Sequence, residues 1–367
     1  MVTNDPPSLI VLSEQGDPTS PRTWSGTPCN LISALQRGGY QVTGLDLTPM
    51  APVRGALSLL SRASGHGRQY RRTRLSSIFH GLGKLRTVDK PGSVVLHTGT
   101  STIPLGSRRP HLRHVLFIDS TFHLMSTSPK LALSEALVRR YDAFERAALT
   151  AADHIFTISE CARADVIEHY AISADRVTAV GTGMGNIRAA EGRKDYSGRT
   201  TLFVAKQRFE EKGGLLILEG FRLAQKADSR LKLVVVATEP FRHMTEQVPN
   251  AVFRSAVPWE ELEAYFNQAA LFAMPALYEP WGLVYIEALA CRTPVLGLNR
   301  NALPELTQNG KYGFLLNDTN PSSVATALLD AFSDIGRLAE MGNGGQKYVG
   351  ERYSWDIVAS KICRELF

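Results

Sequence analysis

The sequence predicts an α/β protein made of two similar halves, each with a parallel sheet covered by helices. Short runs rich in Val, Ile and Leu alternate with helix-length amphipathic segments, which is typical of strands joined by crossover helices. A polar stretch at residues 185–199 interrupts this alternation, and the pattern then restarts. The length of 367 residues suits about two domains. We therefore expect domains at 1–185 and 186–350, followed by a closing helix at 351–367.

The first half begins with a buried strand, because LIVLS is continuously apolar. A loop rich in Gly, Pro and Ser follows, and a helix is predicted to start near Gly26. A long amphipathic helix is predicted over residues 131–152. The strands predicted in this half are residues 9–13, 41–47, 93–97, 114–119, 154–159 and 177–180.

The second half repeats the pattern with a strand, a Lys/Gly turn and a helix over residues 214–226. The other segments predicted to be helical are residues 322–332 and 336–367. The strands predicted in this half are residues 201–205, 232–237, 271–275 and 294–297. In each half the crevice at the carboxyl ends of the strands is where an open α/β sheet binds ligands.

Basic charge is concentrated in the first half. Residues 1–185 hold 20 Lys/Arg against 14 Asp/Glu, whereas residues 186–367 hold 21 of each. Residues 51–86 contain no acid and eight basic residues: Arg54, Arg62, Arg68, Arg71, Arg72, Arg74, Lys84 and Arg86. This segment fits contact with an anionic membrane or another polyanion through its arginines, or a solvated pair of surface helices. It has only two aromatic residues and no nucleic-acid module, so nucleic acid is not an expected partner.

Several classes of protein are not expected from the composition. No apolar run approaches the ~20 residues of a membrane span, and MVTNDPPS does not resemble a secretory signal. The four cysteines lack a CxxC spacing, so neither a zinc site nor a disulfide framework is predicted. A cytoplasmic protein is the expectation.

The most informative motif is YEPWGLVYIEALACRTPV, which starts at Tyr278. It places Glu279 in a loop and Glu287 more than a turn inside a helix that starts near Gly282. A glycine at a helix start lets a ligand approach the backbone, where free N–H groups favour phosphate or sugar oxygens. A carboxylate accepts hydrogen bonds from paired hydroxyls such as those of a ribose. Two glutamates at this spacing are usually surface residues, so the surrounding pattern carries the prediction.

A second motif, FVAKQRFEEKGG, lies between a predicted strand and a predicted helix. Its cations, Lys206, Arg208 and Lys212, suit a bound phosphate, and we favour Arg208 over Lys206 because a guanidinium grips phosphate oxygens in pairs. The structural alternative is a solvated turn.

Two further positions, a glycine and an aspartate, stand out in the first half. Gly26 lies in RTWSGTP after the first strand, and Asp119 ends the strand in FIDSTFH. Asp119 can orient an acceptor hydroxyl or support positive charge on a reacting carbon, and it can equally cap the next segment through Ser120 and Thr121. His97 and His123 are weaker candidates of the same kind.

The motif EPWGLVYIEALACRTPV resembles the E-x7-E signature of retaining glycosyltransferases of family 4, whose two Rossmann-like domains face across a cleft in the fold called GT-B. Lys212–Gly213 resembles the family's Lys-Gly, and ALPELTQNGKYGFLL and RYSWDIVA resemble later family segments. Trp281 stands where Phe is usual and Arg292 where Gly is common. Asp119 stands where many relatives have His.

The resemblance implies a role for each site residue. Glu279 would contact the donor sugar, and Glu287 the nucleotide ribose. Backbone at Gly282, Leu283 and Gly26 would hold sugar and phosphate oxygens. Arg208 and Lys212 would clamp the diphosphate.

The resemblance also implies the reaction. The enzyme would move a sugar from a nucleotide-diphosphate donor, with UDP- or GDP-sugars favoured, to an acceptor hydroxyl with retention. The first domain would bind the acceptor, which is a glycan, a lipid-linked glycan, a protein or a small molecule. No D-x-D motif occurs, so neither a metal nor another cofactor is expected. The alternatives are a nucleotide-sugar 2-epimerase and a catalytically silent partner that binds nucleotide sugars.

Overall fold

The computed structural model describes residues 8–67, 69–82, 92–105, 111–128, 133–185, 187–255 and 257–367. Contacts divide the chain into two compact units, Met1–Gly183 with Ser354–Phe367, and Met184–Tyr353. Of the predicted basic segment, Arg68, Lys84 and Arg86 lie outside the described residues, as do the first two residues of the helix predicted over 131–152.

The first unit contains a sheet of six parallel strands in the order β2-β1-β3-β4-β5-β6. The strands are β1 (Ser8–Ser13), β2 (Gln41–Asp46), β3 (Val94–His97), β4 (Arg113–Ile118), β5 (His154–Thr157) and β6 (Val177–Ala179). Strands β3, β4 and β5 are almost wholly buried, because helices cover both faces of a parallel sheet.

Six helices of this unit precede the second half of the chain. They are α1 (Thr27–Arg37), α2 (Ala51–Ala63), α3 (Arg74–Leu82), α4 (Phe122–Ser126), α5 (Glu135–Ala151) and α6 (Glu160–Glu168). Ser134 and Ser159 cap α5 and α6 by accepting from backbone N–H groups of the first turn, which satisfies donors that a helix start leaves unpaired.

The second unit contains another sheet of six parallel strands, in the order β12-β11-β10-β7-β8-β9. The strands are β7 (Thr200–Ala205), β8 (Lys232–Ala237), β9 (Ala251–Ser255), β10 (Leu271–Ala273), β11 (Val295–Leu298) and β12 (Gly313–Leu316). The helices are α7 (Gly214–Ala227), α8 (Arg242–Glu246), α9 (Trp259–Gln268), α10 (Leu283–Ala290), α11 (Leu303–Leu306), α12 (Pro321–Ser333) and α13 (Ile335–Arg352).

The predicted α/β class with two parallel sheets is confirmed, and two details differ. Strands β9 and β12 were not predicted from apolar runs, because β9 is only partly buried and β12 begins with a glycine. The single closing helix predicted over residues 336–367 is two helices, α13 and α14 (Trp355–Leu366). Ser354 separates them, since its side chain accepts from the Ile357 N–H at 3.2 Å and starts a new helix. Helix α14 belongs to the first unit and packs on α1.

Each sheet has one point where the strand order reverses. In the first sheet β1 lies between β2 and β3, and in the second sheet β7 lies between β8 and β10. The connections leaving the two neighbouring strands then run to opposite faces, which opens a crevice at their carboxyl ends. The candidate site residues are concentrated in the loops at these two points.

Candidate functional site

In the second unit, two loops meet at the crevice between β7 and β10. One follows β7 and leads into α7, and the other follows β10 and leads into α10. The Leu277 N–H of the second loop donates to the Glu211 carbonyl of the first at 2.8 Å. The Lys212 ammonium also contacts the Glu279 carboxylate, so the two predicted motifs form one site.

Both loops enter their helices through a glycine with left-handed backbone. Gly213 has φ of +82°, and a Cβ there would lie 2.2 Å from the Pro275 carbonyl oxygen. Gly282 has φ of +84°, and its Cβ would lie 2.4 Å from the Tyr285 ring. Only glycine satisfies both the conformation and the crowding. The Gly214 N–H donates to the Phe209 carbonyl and the Tyr285 N–H to the Gly282 carbonyl, each at 2.9 Å. The other N–H groups of the two first turns have no helical carbonyl before them, so both helix starts favour an anion or a hydroxyl oxygen.

Lys212 is a half-buried cation at this crevice. Its side chain and that of Glu279 are each 16% exposed. Burial lowers the pKa of Lys212 to about 8, the nearby Arg208 guanidinium acts in the same direction, and Glu211 opposes both. The Glu279 carboxylate in contact with it favours the ammonium form. The ion pair therefore holds a cation ready in a site that is poor in water.

The two candidate cations of the strand-to-helix turn lie in different surroundings. Arg208 is 61% exposed, has left-handed backbone with φ of 55°, and lies 3.7 Å from Glu211. The Lys206 ammonium lies 4.3 Å from the ring centre of Trp259. Arg208 is the one whose charge acts on Lys212, while Lys206 acts on Glu287.

Glu287 lies inside α10 and is only 3% exposed. Burial raises its pKa to about 7, and Lys206 opposes this rise. Its carboxylate occupies the space beside Gly185, where a Cβ would lie 2.2 Å from the Glu287 Oε1 atom. Leu283 starts the same helix and is half-buried. A buried carboxylate that titrates near neutral pH is typical of a binding or catalytic site.

Trp259 and Tyr285 also belong to this site, and sequence reasoning did not select either. Trp259 starts α9 and is 49% exposed beside Lys206, which is unusual for a tryptophan. The Tyr285 hydroxyl donates to the Met274 carbonyl at 2.6 Å and fixes the loop before α10. Neither position carries a sequence signal, because their importance depends on contacts between distant loops.

In the first unit, Asp119 follows β4 at the other crevice. Burial raises the pKa of its carboxyl group. This rise is opposed by hydrogen bonds from the Asp119 and Ser120 backbone, by the Arg72 charge and by a hydrogen bond from the Trp24 side chain. The alternative role as a helix cap belongs to another residue, since the Thr121 hydroxyl accepts from the Leu124 N–H at 3.2 Å and caps α4. Asp119 is therefore directed to the crevice.

The loop that carries Trp24 has a strained backbone. Trp24 and Ser25 have φ of 43° and 56°, and Gly26 follows with φ of 80° at the start of α1. A side chain at φ above zero costs about 1–2 kcal/mol, and such strain is concentrated at functional sites. The Trp24 ring packs edge-on against Phe117 with centroids 5.9 Å apart. Gly26 thus lies in the first unit, whereas the other predicted donor-binding residues lie in the second.

A cavity of about 240 Å³ lies at the carboxyl ends of β1, β3 and β4. Its polar wall includes two pairs, Arg72 with Glu145 at 2.7 Å and Arg71 with Glu14 at 3.4 Å. Both glutamates are 2% exposed. Arg71 and Arg72, two arginines of the basic segment, thus pair with carboxylates inside the first unit, and their contact with a membrane stays a prediction.

The two weaker histidine candidates differ. His97 is fully buried between Thr102 and His114, with nitrogen distances of 2.9 and 3.0 Å, which is a structural role. His123 lies 2.6 Å from Asp165 and stacks on His169 with ring centroids 3.7 Å apart. Neither lines the cavity of the first unit.

Within the described ranges, no three His, Cys, Asp or Glu side chains are grouped as metal ligands. No helix of the described chain is both long and apolar enough to cross a bilayer.

Comparison with known proteins identifies the family of this chain. Residues 198–334 match the family model described as "Glycosyl transferases group 1", and residues 27–183 match the "Glycosyl transferase 4-like domain". The two matches span most of both units, and β1 with the loop that carries Trp24 and Gly26 lies before the first of them. The chain belongs to the family 4 glycosyltransferases with the GT-B fold.

Individual relatives have low sequence identity to this chain and match only part of it. The α-maltose-1-phosphate synthase of Mycolicibacterium smegmatis is 27% identical over 249 residues, which are 59% of this chain and 63% of that protein. The GDP-mannose-dependent α-(1-6)-phosphatidylinositol monomannoside mannosyltransferase of the same organism is 34% identical over 124 residues, 32% of each chain. The match thus spans less than two thirds of either relative.

Among solved structures, the sucrose-phosphate synthase of Thermosynechococcus elongatus superimposes with a TM-score of 0.73. The superposition covers 98% of each chain at 17% sequence identity. At 17% identity this structural similarity supports a shared fold and nothing about the activity.

Proposed function

We propose that the protein is a retaining glycosyltransferase that moves a sugar from a nucleotide-diphosphate donor to an acceptor hydroxyl. One observation carries the proposal. The Lys212–Glu279 pair and the buried Glu287 converge at the crevice between β7 and β10, where two helix starts also point their free N–H groups. The cation and the helix starts suit the diphosphate of such a donor, and the two carboxylates suit the hydroxyls of its sugar and its ribose.

The donor binds through separate parts of this crevice. Lys212, Arg208 and the start of α7 hold the diphosphate, because these are its cations and its backbone donors. Glu287 accepts from the ribose hydroxyls, and the Lys206 charge opposes the rise of its pKa that burial causes. Glu279 and the backbone at Gly282 and Leu283 hold the sugar. Lys212 then exchanges its contact with Glu279 for phosphate oxygens, which frees the carboxylate for sugar hydroxyls.

UDP- and GDP-sugars are the favoured donors. The mannosyltransferase relative is named as GDP-mannose-dependent, which supports a GDP-sugar, and its identity to this chain extends over only 124 residues. Residues 301–302, just before the segment PELTQNG, stand where the family commonly has two glycines. The identity of the donor sugar is therefore not inferred from the relatives.

The acceptor hydroxyl binds in the cavity of the first unit. Asp119 lines this cavity at the end of β4 and accepts from that hydroxyl, which fixes the orientation of the acceptor. The acceptor class stays open between a glycan, a lipid-linked glycan, a protein and a small molecule.

In the transfer step the bond between the anomeric carbon and the phosphate oxygen breaks, and a bond from that carbon to the acceptor oxygen forms on the same face. The leaving diphosphate takes the electron pair of the broken bond and accepts the acceptor's proton. Lys212, Arg208 and the helix N–H groups stabilise the charge that grows on the diphosphate. These cations do what a metal would otherwise do, so no metal is expected.

Donor hydrolysis tests this function without knowledge of the acceptor. Each nucleotide sugar is incubated with the protein in chelator, and the released sugar is observed by proton NMR before its anomers equilibrate. Release of the α anomer from an α-linked donor, lost in Lys212→Ala, is the expected result. Release of the β anomer would contradict retention, and donor binding without any release would favour the silent-partner alternative.

A further inference from the structure

Helices α2 and α3 bury serines and leave large apolar side chains exposed, although α2 also buries Leu57. In α2, Ser61 is buried at 2% exposure, whereas Leu59 and Leu60 are 67% and 51% exposed. In α3, Ser76 and Ser77 are fully buried, whereas Leu75 and Ile78 on the adjoining face are 45% and 39% exposed. A surface helix normally buries its apolar side chains and exposes its polar ones.

Of the two buried serines of α3, Ser77 is held by hydrogen bonds within the unit. The Ser77 hydroxyl donates to the Ile103 carbonyl and accepts from the Leu105 N–H at 2.6 Å. These bonds fix the rotation of α3, so its leucine and isoleucine cannot turn inward without breaking them. The exposure of the apolar face is therefore built into the fold.

Exposed apolar side chains are also concentrated in this part of the chain. Half of the large apolar side chains that are exposed in the described ranges lie between Met50 and Phe79. Met50 itself, just before α2, is 74% exposed. A concentration of this kind marks a surface that contacts an apolar partner.

The charge of the surface identifies that partner. Arg54, Arg62 and Arg74 are exposed on the two helices, and residues 51–82 contain no acid. A further guanidinium, that of Arg140, lies beside this surface, because it donates to the Ser64 carbonyl just after α2 at 3.0 Å. On α5, the helix that carries Arg140, Glu135 pairs with Arg139 at 3.3 Å. An apolar surface bordered by arginines is repelled by a second copy of itself and attracted by anionic lipid.

We propose that α2 and α3 dock this protein on the surface of an anionic membrane. Leu59, Leu60, Leu75 and Ile78 enter the boundary between head groups and acyl chains, and Arg54, Arg62 and Arg74 contact the lipid phosphates. Both helices lie parallel to the bilayer plane and neither crosses it. The proposal does not depend on which donor the second unit binds.

Vesicle flotation tests the proposal with the full chain. The vesicles are phosphatidylcholine alone, or an equal mixture of phosphatidylcholine and phosphatidylglycerol. The unaltered protein is expected to float with the anionic vesicles, and less so at high salt. L59S/L60S and L75S/I78S should each lower the partition coefficient roughly tenfold or more, because interfacial binding scales with the apolar area inserted.

Matched variants keep the result interpretable. Leu215 and Leu223 on α7 are 41% and 39% exposed, close to the values for Leu75 and Ile78. L215S/L223S is therefore matched to the α3 variant and should leave flotation unchanged. Each variant must also retain the circular dichroism spectrum of the unaltered protein. Dextran sulfate serves as a soluble polyanion without acyl chains.

Flotation of the unaltered protein that both helix variants lose and the α7 variant keeps would support the proposal. Failure to float with anionic vesicles, or a loss in only one helix variant, would overturn the two-helix surface. Binding to dextran sulfate that the leucine variants leave unchanged, without flotation, would overturn it in favour of a polyanion partner.

Discussion

At the scale of single residues, two buried groups of opposite charge determine how the donor crevice responds to pH. Glu287 has its pKa raised to about 7 and Lys212 has its pKa lowered to about 8, both mainly by burial. Each group favours its neutral form, yet donor binding needs both charged. The crevice is therefore fully prepared for a donor only in a narrow range of pH.

The affinity for a nucleotide sugar should pass through a maximum between about pH 7 and about pH 8. Below about pH 7 Glu287 is protonated and stops accepting from two ribose hydroxyls, and above about pH 8 Lys212 loses its charge. Calorimetric titration from about pH 6 to about pH 9 measures this. A nucleotide sugar is the right ligand, because its esterified diphosphate does not titrate in that range. E287Q should flatten the acidic side only, and an unchanged profile in E287Q would contradict the assignment.

Arg292 shows a departure from the family pattern that the structure explains. It stands where glycine is common and has φ of 58°. Its guanidinium donates to the Gly192 and Ala190 carbonyls at 2.5 and 2.6 Å, which compensates for the strained backbone. R292G and R292A lose the same hydrogen bonds, and only glycine accepts the left-handed backbone freely. R292G should therefore be more stable than R292A by about 1 kcal/mol in urea unfolding. Equal stability would show that the backbone is not strained there.

At the scale of elements, two glycine-started helices form the donor crevice. Gly213 immediately precedes α7 and Gly282 immediately precedes α10, and both have left-handed backbone with no room for a side chain. The sequence predicted that these helices start near the glycines, because the strand-turn-helix pattern is local. It could not predict the contact of Lys212 with Glu279 or the burial of Glu287, since these depend on pairing between strands that are far apart in sequence. The same limit explains Trp24, whose strain and bond to Asp119 leave no pattern in RTWSGTP.

Substitution of the first glycine tests how much the loop depends on close packing. G213A adds a methyl group 2.2 Å from the Pro275 carbonyl oxygen and also strains the backbone. It should cost at least about 2 kcal/mol of unfolding free energy and reduce donor affinity, because α7 must move. Gly192 has a similar φ of +79° with open space around it, so G192A is the matched control and should cost only about 1 kcal/mol. Equal effects of the two changes would show that crowding at Pro275 is unimportant.

At the scale of the whole molecule, two sheets with similar strand orders carry different groups at their reversal points. The crevice of the second sheet holds cations and helix starts, and that of the first sheet holds Asp119 and paired arginines. The alternation of strands and helices predicted both sheets, because each element has its own apolar pattern. Strands β9 and β12 were not predicted, since β9 (AVFRS) is only partly buried and β12 (GFLL) is short and begins with a glycine.

The central claim is that a nucleoside diphosphate binds at the crevice between β7 and β10 without metal. Thermal unfolding with UDP, GDP, ADP or TDP in chelator tests it most directly. One nucleotide at a hundredfold excess over its Kd should stabilise the protein by about 2.7 kcal/mol and raise the Tm. The rise should disappear in E287A and K212A and persist in K226A, which alters a lysine in the last turn of α7. No rise with any nucleotide, or a rise that E287A and K212A leave intact, would contradict the claim.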